Sequence, residues 1–91
     1  MHGEYKVPGG KLVVVDCEVR EGRLANVQIS GDFFLEPAEA LPALASSLDG
    51  APSDLPGGEI ERRINAAVGA GTHLIGFDPH AISVAVQRAL A

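Results

Sequence analysis

The chain has one cysteine, no tryptophan and few aromatic residues, only 4% of its 91 positions. A lone Cys17 excludes an internal disulfide framework and any cage of several thiolates around a metal or an iron-sulfur cluster. No apolar run reaches the length of a signal-peptide core or a membrane span, so the sequence reads as cytoplasmic, without a membrane partner. Lysine is scarce, with Lys6 and Lys11 alone, and the net charge is −5. That excludes the clustered basic surface that nucleic acid requires. What remains is 46% hydrophobic and 21% charged, a composition that folds, in a length that holds one small core and not two.

The charge is unevenly placed. In residues 1–31, Lys6, Lys11, Arg20 and Arg23 balance Glu4, Asp16, Glu18 and Glu21. From Asp32 onward only Arg62, Arg63 and Arg88 stand against eight acids, so the excess negative charge lies entirely there. An anion-contacting edge therefore belongs to the first segment. The segment Asp49–Gly58 is rich in proline and glycine, yet neither side of it could bury a core alone. It reads as a loop between helices within one domain, residues 1–91.

Alternation is clearest over Lys11–Arg20, where Val13, Val15, Cys17 and Val19 point one way and Asp16, Glu18 and Arg20 the other. Glu21-Gly22 breaks it as a short hairpin loop, and Leu24–Ser30 resumes it with Val27 and Ile29. Tyr5–Val7 forms an edge strand joined through Pro8-Gly9-Gly10, where proline sets the turn's φ and glycine supplies left-handed freedom. Helices then cover one face. Pro37 suits a first helical position, with Leu41, Leu44, Ala45 and Leu48 as the stripe, and Pro42 predicts a kink or a late start. Ile60, Ile64, Ala67 and Val68 form a second stripe, closed by Gly69 or Gly71. The third helix starts with Asp78 as N-cap, Pro79 at its first position and Phe77 placed to staple onto Ile82. The fold class is α+β: a three-stranded antiparallel meander covered on one face by about three helices.

Four features could carry chemistry. Pro8-Gly9-Gly10-Lys11 could present amides and an ammonium to a phosphate, but it lacks the glycine spacing and the Lys-Ser/Thr ending of a P-loop and reads first as a hairpin turn. Gly31-Asp32-Phe33-Phe34 holds adjacent rings that must face opposite ways, one into the core and the other toward a helix, a partner or water. Asp32 suits hydrogen bonds to nearby amides. Cys17 aligns with the inward valines and behaves as a small hydrophobe. His73, Asp78 and His80 lack the spacing of a helical zinc site, so no metal site and no catalytic residue is assigned.

The order Lys6-x-Pro8-Gly9-Gly10-Lys11-Leu12-Val13, a hairpin, Gly31-Asp32-Phe33-Phe34-x-x-Pro37 and Leu48-x-Gly50 resembles the C-terminal accessory domain of lipoate-protein ligase A, a separate polypeptide in some organisms. The resemblance spans the whole chain. It implies a non-catalytic accessory subunit that supports ATP-dependent lipoyl-adenylate formation by a large catalytic subunit, for lipoylation of lysines on lipoyl-domain acceptor proteins. ATP, Mg and lipoate are then cofactors of the heterodimer, with none bound by this chain alone. The family's Arg-Arg-x-Ser/Thr-Gly-Gly-Gly loop is missing, since Arg62-Arg63 is followed by Ile64, Asn65, Ala66 and Ala67. The resemblance makes Lys6, Pro8, Gly9, Gly10, Lys11, Asp32, Phe33 and Phe34 the partner-facing or phosphate-facing candidates. The chain is also similar to the iron-sulfur scaffold and sulfur-carrier fold of the SufE/NifU type, which implies an alternative use as a protein-binding module without cluster chemistry.

Overall fold

The computed structural model describes all residues, 1–91. Strands β1 (His2–Lys6), β2 (Leu12–Arg20) and β3 (Arg23–Gly31) form an antiparallel sheet in the order β1-β2-β3. A short strand β4 (Phe34–Glu36), a 3-10 turn (Ala38–Ala40) and helix α1 (Leu41–Ser46) follow. Helix α2 (Gly57–Ala67), strand β5 (His73–Ile75) and helix α3 (Pro79–Leu90) complete the α+β fold. None of the helices is long and apolar enough to cross a membrane.

The meander follows from local chemistry. Gly10 N–H donates to Val7 O at 2.8 Å around Pro8 and a left-handed Gly9 (φ 72°), which makes a type II turn. Between β2 and β3 both loop residues are left-handed, Glu21 at φ 53° and Gly22 at φ 76°, the two-residue turn whose twist matches antiparallel strands. Val13, Val15 and Cys17 are buried as their alternation requires. On β3, Leu24 and Val27 are both buried although they stand an odd number of residues apart. A bulge reconciles them: the register slips between Asp16 and Glu18, and the extra β3 residue, Asn26, is left-handed at φ 51° with its amide on the Glu18 carboxylate.

One face of this sheet is covered by helices. Helix α3 crosses β1 and β2, α1 packs on β3, and α2 lies against α3. Asp78 caps α3 by accepting from Ala81 N–H at 2.8 Å, and Ala81, Ile82, Ala85, Val86 and Ala89 form its buried side. Its small residues let it descend onto β1, and Gly3 is the point of contact. A Cβ there would lie 2.2 Å from Ala85 O and 2.3 Å from Ala89 N. Arg88 ties the same crossing, donating to Glu4 O at 2.9 Å and lying 5.1 Å from the Tyr5 ring centre.

The helical expectations need one correction. Pro37 does not begin a helix: it precedes the 3-10 turn, and α1 starts only at Leu41 with Pro42 in its first turn. A helix running from Pro37 would need an amide at 42 to reach Ala38 O, and proline has none, so the late start wins. The second sheet, β4 with β5, is an addition that the alternation did not reveal. The first strand lies at His2–Lys6 instead of Tyr5–Val7.

Candidate functional site

The two segments singled out in the sequence meet at one corner of the sheet. Asp32 accepts from Leu12 N–H at 2.7 Å, which ties the Gly31-Asp32-Phe33-Phe34 corner to the start of β2. Gly31 permits that approach, since a Cβ on it would lie 2.0 Å from Leu12 O. A third segment, unmarked by sequence reasoning, completes the corner. Lys11 N–H donates to Gly76 O at 2.8 Å, and the Lys11 side-chain stem lies against Gly76, which is left-handed at φ 88° and has no room for a Cβ. The available signal was Thr72-His73-Leu74-Ile75 between Gly71 and Gly76, a strand-length run between two breakers.

Within this corner Pro8-Gly9-Gly10 forms the hairpin turn between β1 and β2. The Gly10 and Lys11 amides are engaged by Val7 O and Gly76 O, and the Lys6 ammonium donates to Gly10 O at 2.5 Å and Val7 O at 3.2 Å. Lys6 therefore closes its own turn. Lys11 differs: its side chain is exposed, and its ammonium makes no hydrogen bond or ion pair within the chain.

The two phenylalanines divide, Phe33 just before β4 and Phe34 at its first position. Phe33 turns inward and stacks on Phe77, with ring centres 4.0 Å apart and planes 28° from parallel. Phe77, placed to staple the last helix, thus joins that helix to the corner and is itself buried. Phe34 turns outward and is 64% exposed. Directly across the β4–β5 pair stands Ile75, 50% exposed, so two large apolar side chains share one outward face. Leu35 and Leu74, also paired, face the core.

Beside this ribbon runs an open groove of about 310 Å³ lined by Ile29, Ser30, Gly31, Phe33, Phe34, Leu35, Ala38 and Leu41. Its lining is apolar. The exposed acids Glu36 and Glu39 adjoin the lining residues Leu35 and Ala38.

The remaining reactive groups are occupied elsewhere. Cys17 is buried, and desolvation raises its thiol pKa, leaving a weak nucleophile. Asp78 serves as a helix cap, His80 faces Glu61 at 3.5 Å, and His73 stands opposite Glu36 on the ribbon. Arg62 and Arg63 lie within α2, with Arg62 on Glu59 at 2.6 Å, so the pair belongs to no glycine-rich loop. On the uncovered face of the sheet, His2 sits between Glu4 and Asp16, each 2.6 Å from a ring nitrogen, and those hydrogen bonds raise its pKa. Hydrogen bonding from Asn26, then the charge of Arg20, lowers the Glu18 pKa.

No protein-family model matches the chain, and no curated protein matches it. Among solved structures, a chain from Thermoplasma acidophilum is similar over 100% of this chain and 98% of its own length, with a TM-score of 0.69 and 24% identity. That structure is described as an archaeal lipoylation system, a bi-partite lipoate protein ligase and its E2 lipoyl domain. The two chains share a fold from end to end.

Proposed function

We propose that this chain is the accessory part of a two-chain lipoate-protein ligase, supporting lipoyl-adenylate formation by a large catalytic chain that then lipoylates acceptor-domain lysines. The observation that carries the reading is the end-to-end fold likeness to a chain of a ligase described as bi-partite. The residues agree with a supporting role. Arg62 and Arg63 are helical, Cys17 is buried, and the Gly10 and Lys11 amides of the turn are engaged internally. Nothing in this set fits a nucleotide triphosphate, so the reading assigns ATP, Mg and lipoate to the large chain.

Lys11 is the group best placed to act across a subunit boundary. Its ammonium is free, while its backbone amide is anchored to Gly76 and its stem packs on that residue. Such a fixed base can reach a phosphate or an acidic patch on the large chain, and it can order a mobile loop over the nucleotide by doing so. Transfer from preformed adenylate no longer has to organise a triphosphate, so that step depends on this chain less.

Pyrophosphate release from ATP and lipoate is the test, measured with each chain alone and with both, alongside transfer from supplied lipoyl-adenylate. Release only from the mixture supports the reading. Full-rate release by the large chain alone defeats it, and release by this chain alone defeats its non-catalytic part. Within the complex, Lys11→Glu should slow adenylation by roughly tenfold or more and Lys11→Ala by less, because reversal adds repulsion to lost attraction.

A further inference from the structure

Strand β3 is an edge strand, and its outer side is closed over only half its length. Leu24 is closed there by two backbone bonds, its N–H to Ala51 O at 2.8 Å and its C=O from Gly50 N–H at 2.7 Å. Val27 N–H is closed by the Asp49 carboxylate at 3.1 Å. These bonds also show which residues aim their backbone outward. Val27 does, so Ile29, two residues on, does as well, while Ser30 and Gln28 face β2 opposite Val14 and Asp16. Ile29 has no backbone partner on that side. Open edges of this kind are ordinarily blunted by a bulge, a charge or a covering loop, and here the covering stops after Val27.

The open stretch forms one wall of the apolar groove, with Phe34 exposed beyond it and paired to Ile75. The segment that lines it carries charge of one sign. From Leu24 to Glu61 the chain holds no lysine or arginine, and Glu36 and Glu39 follow the far wall. Lys11 stands at the other end of the ribbon, beside Gly76.

We infer that the groove is a strand-addition site. It takes an extended segment of the partner chain that hydrogen-bonds to Ile29, sets alternate apolar side chains against Phe34, Leu35 and Leu41, and carries lysine or arginine toward Glu36 and Glu39. Backbone pairing provides the register, the apolar wall provides the burial, and the acids select the charge. A groove of about 310 Å³ suits a few such side chains. That the partner is the large ligase chain rests on the function proposed above.

The experiment joins wild type and variants to the cognate large chain and reads dissociation constant, adenylation rate and backbone hydrogen exchange. The Ile29 amide, which has no hydrogen-bond partner in the isolated chain, should become protected by a hundredfold or more in the complex. Phe34→Glu should weaken binding by roughly a hundredfold, and Glu36→Lys with Glu39→Lys by roughly tenfold, without moving the urea midpoint of the isolated chain. A complex that forms and adenylates while Ile29 stays unprotected overturns the strand-addition site alone. Tight binding with Ile29 protected but no gain in adenylation upholds the site and overturns the accessory function. Absence of any complex overturns both. A free chain of dimeric mass with Ile29 already protected would make a second copy the occupant and overturn the partner assignment.

Discussion

Two antiparallel pairings in this molecule hold on by different means. In the main sheet, β1 and β2 are locked from one side by a helix whose backbone touches Gly3, and the inward side chains Val13 and Val15 are wholly buried. In the ribbon, β4 and β5 are three residues each and share one apolar pair facing the core, Leu35 with Leu74, and another facing solvent, Phe34 with Ile75. A two-stranded ribbon is marginal alone, so this one depends on Phe33 against Phe77 and on Lys11 against Gly76. The sheet uses its apolar residues for stability. The ribbon leaves half of its own available to another molecule.

Substitutions can break that contrast, beginning with the largest effect. Gly3→Val should cost about 3 kcal/mol in urea unfolding, because its branched side chain must displace the α3 backbone itself. A loss below about 1 kcal/mol would mean that α3 is less firmly seated than the geometry shows. Phe33→Ala should cost about 2 kcal/mol, from half-buried area and the lost stack on Phe77. Cys17→Ala should cost about 1 kcal/mol and leave adenylation by the proposed two-chain ligase intact, and the native thiol should resist thiol reagents until unfolding. Phe34→Ala, one residue from Phe33, should change stability by less than about 0.5 kcal/mol. Equal losses at Phe33 and Phe34 would erase the distinction between ring in and ring out.

The smallest effect is a pH dependence on the uncovered sheet face. His2 has a raised folded pKa, so its contribution is fully present below the unfolded value of 6.5 and is lost as pH rises through the folded one. Comparing melting temperatures of wild type and His2→Gln across this window should show a small difference at acid pH that closes on the alkaline side. A difference growing with pH would mean that the ring is not held as a cation between Glu4 and Asp16. Glu18 runs the other way: its folded pKa is lowered, so its contribution is present above the unfolded value of 4.5 and fades as pH falls through the folded one.

Alternation over Val13, Val15 and Cys17, the glycine turns and the Asp78-Pro79 start determined by themselves the meander, its inward face and the last helix. These are local choices, made by backbone sterics and by which side chains shun water. The odd spacing from Leu24 to Val27 could have announced the bulge, because two inward residues cannot stand three apart on a regular strand. The candidate corner was only partly legible. Gly31-Asp32 and Pro8-Gly9-Gly10-Lys11 could be marked as unusual, but their contact through Leu12 and Asp32 joins residues far apart in the chain. Only the folded structure decided that Phe33 goes in and Phe34 stays out, because that choice depends on Phe77 arriving from the other end of the molecule. The ribbon depends on the tertiary structure for the same reason. The glycines around His73–Ile75 could mark a strand, but three residues carry too little pattern to name its partner, and each strand pairs only because the core already holds the other in reach.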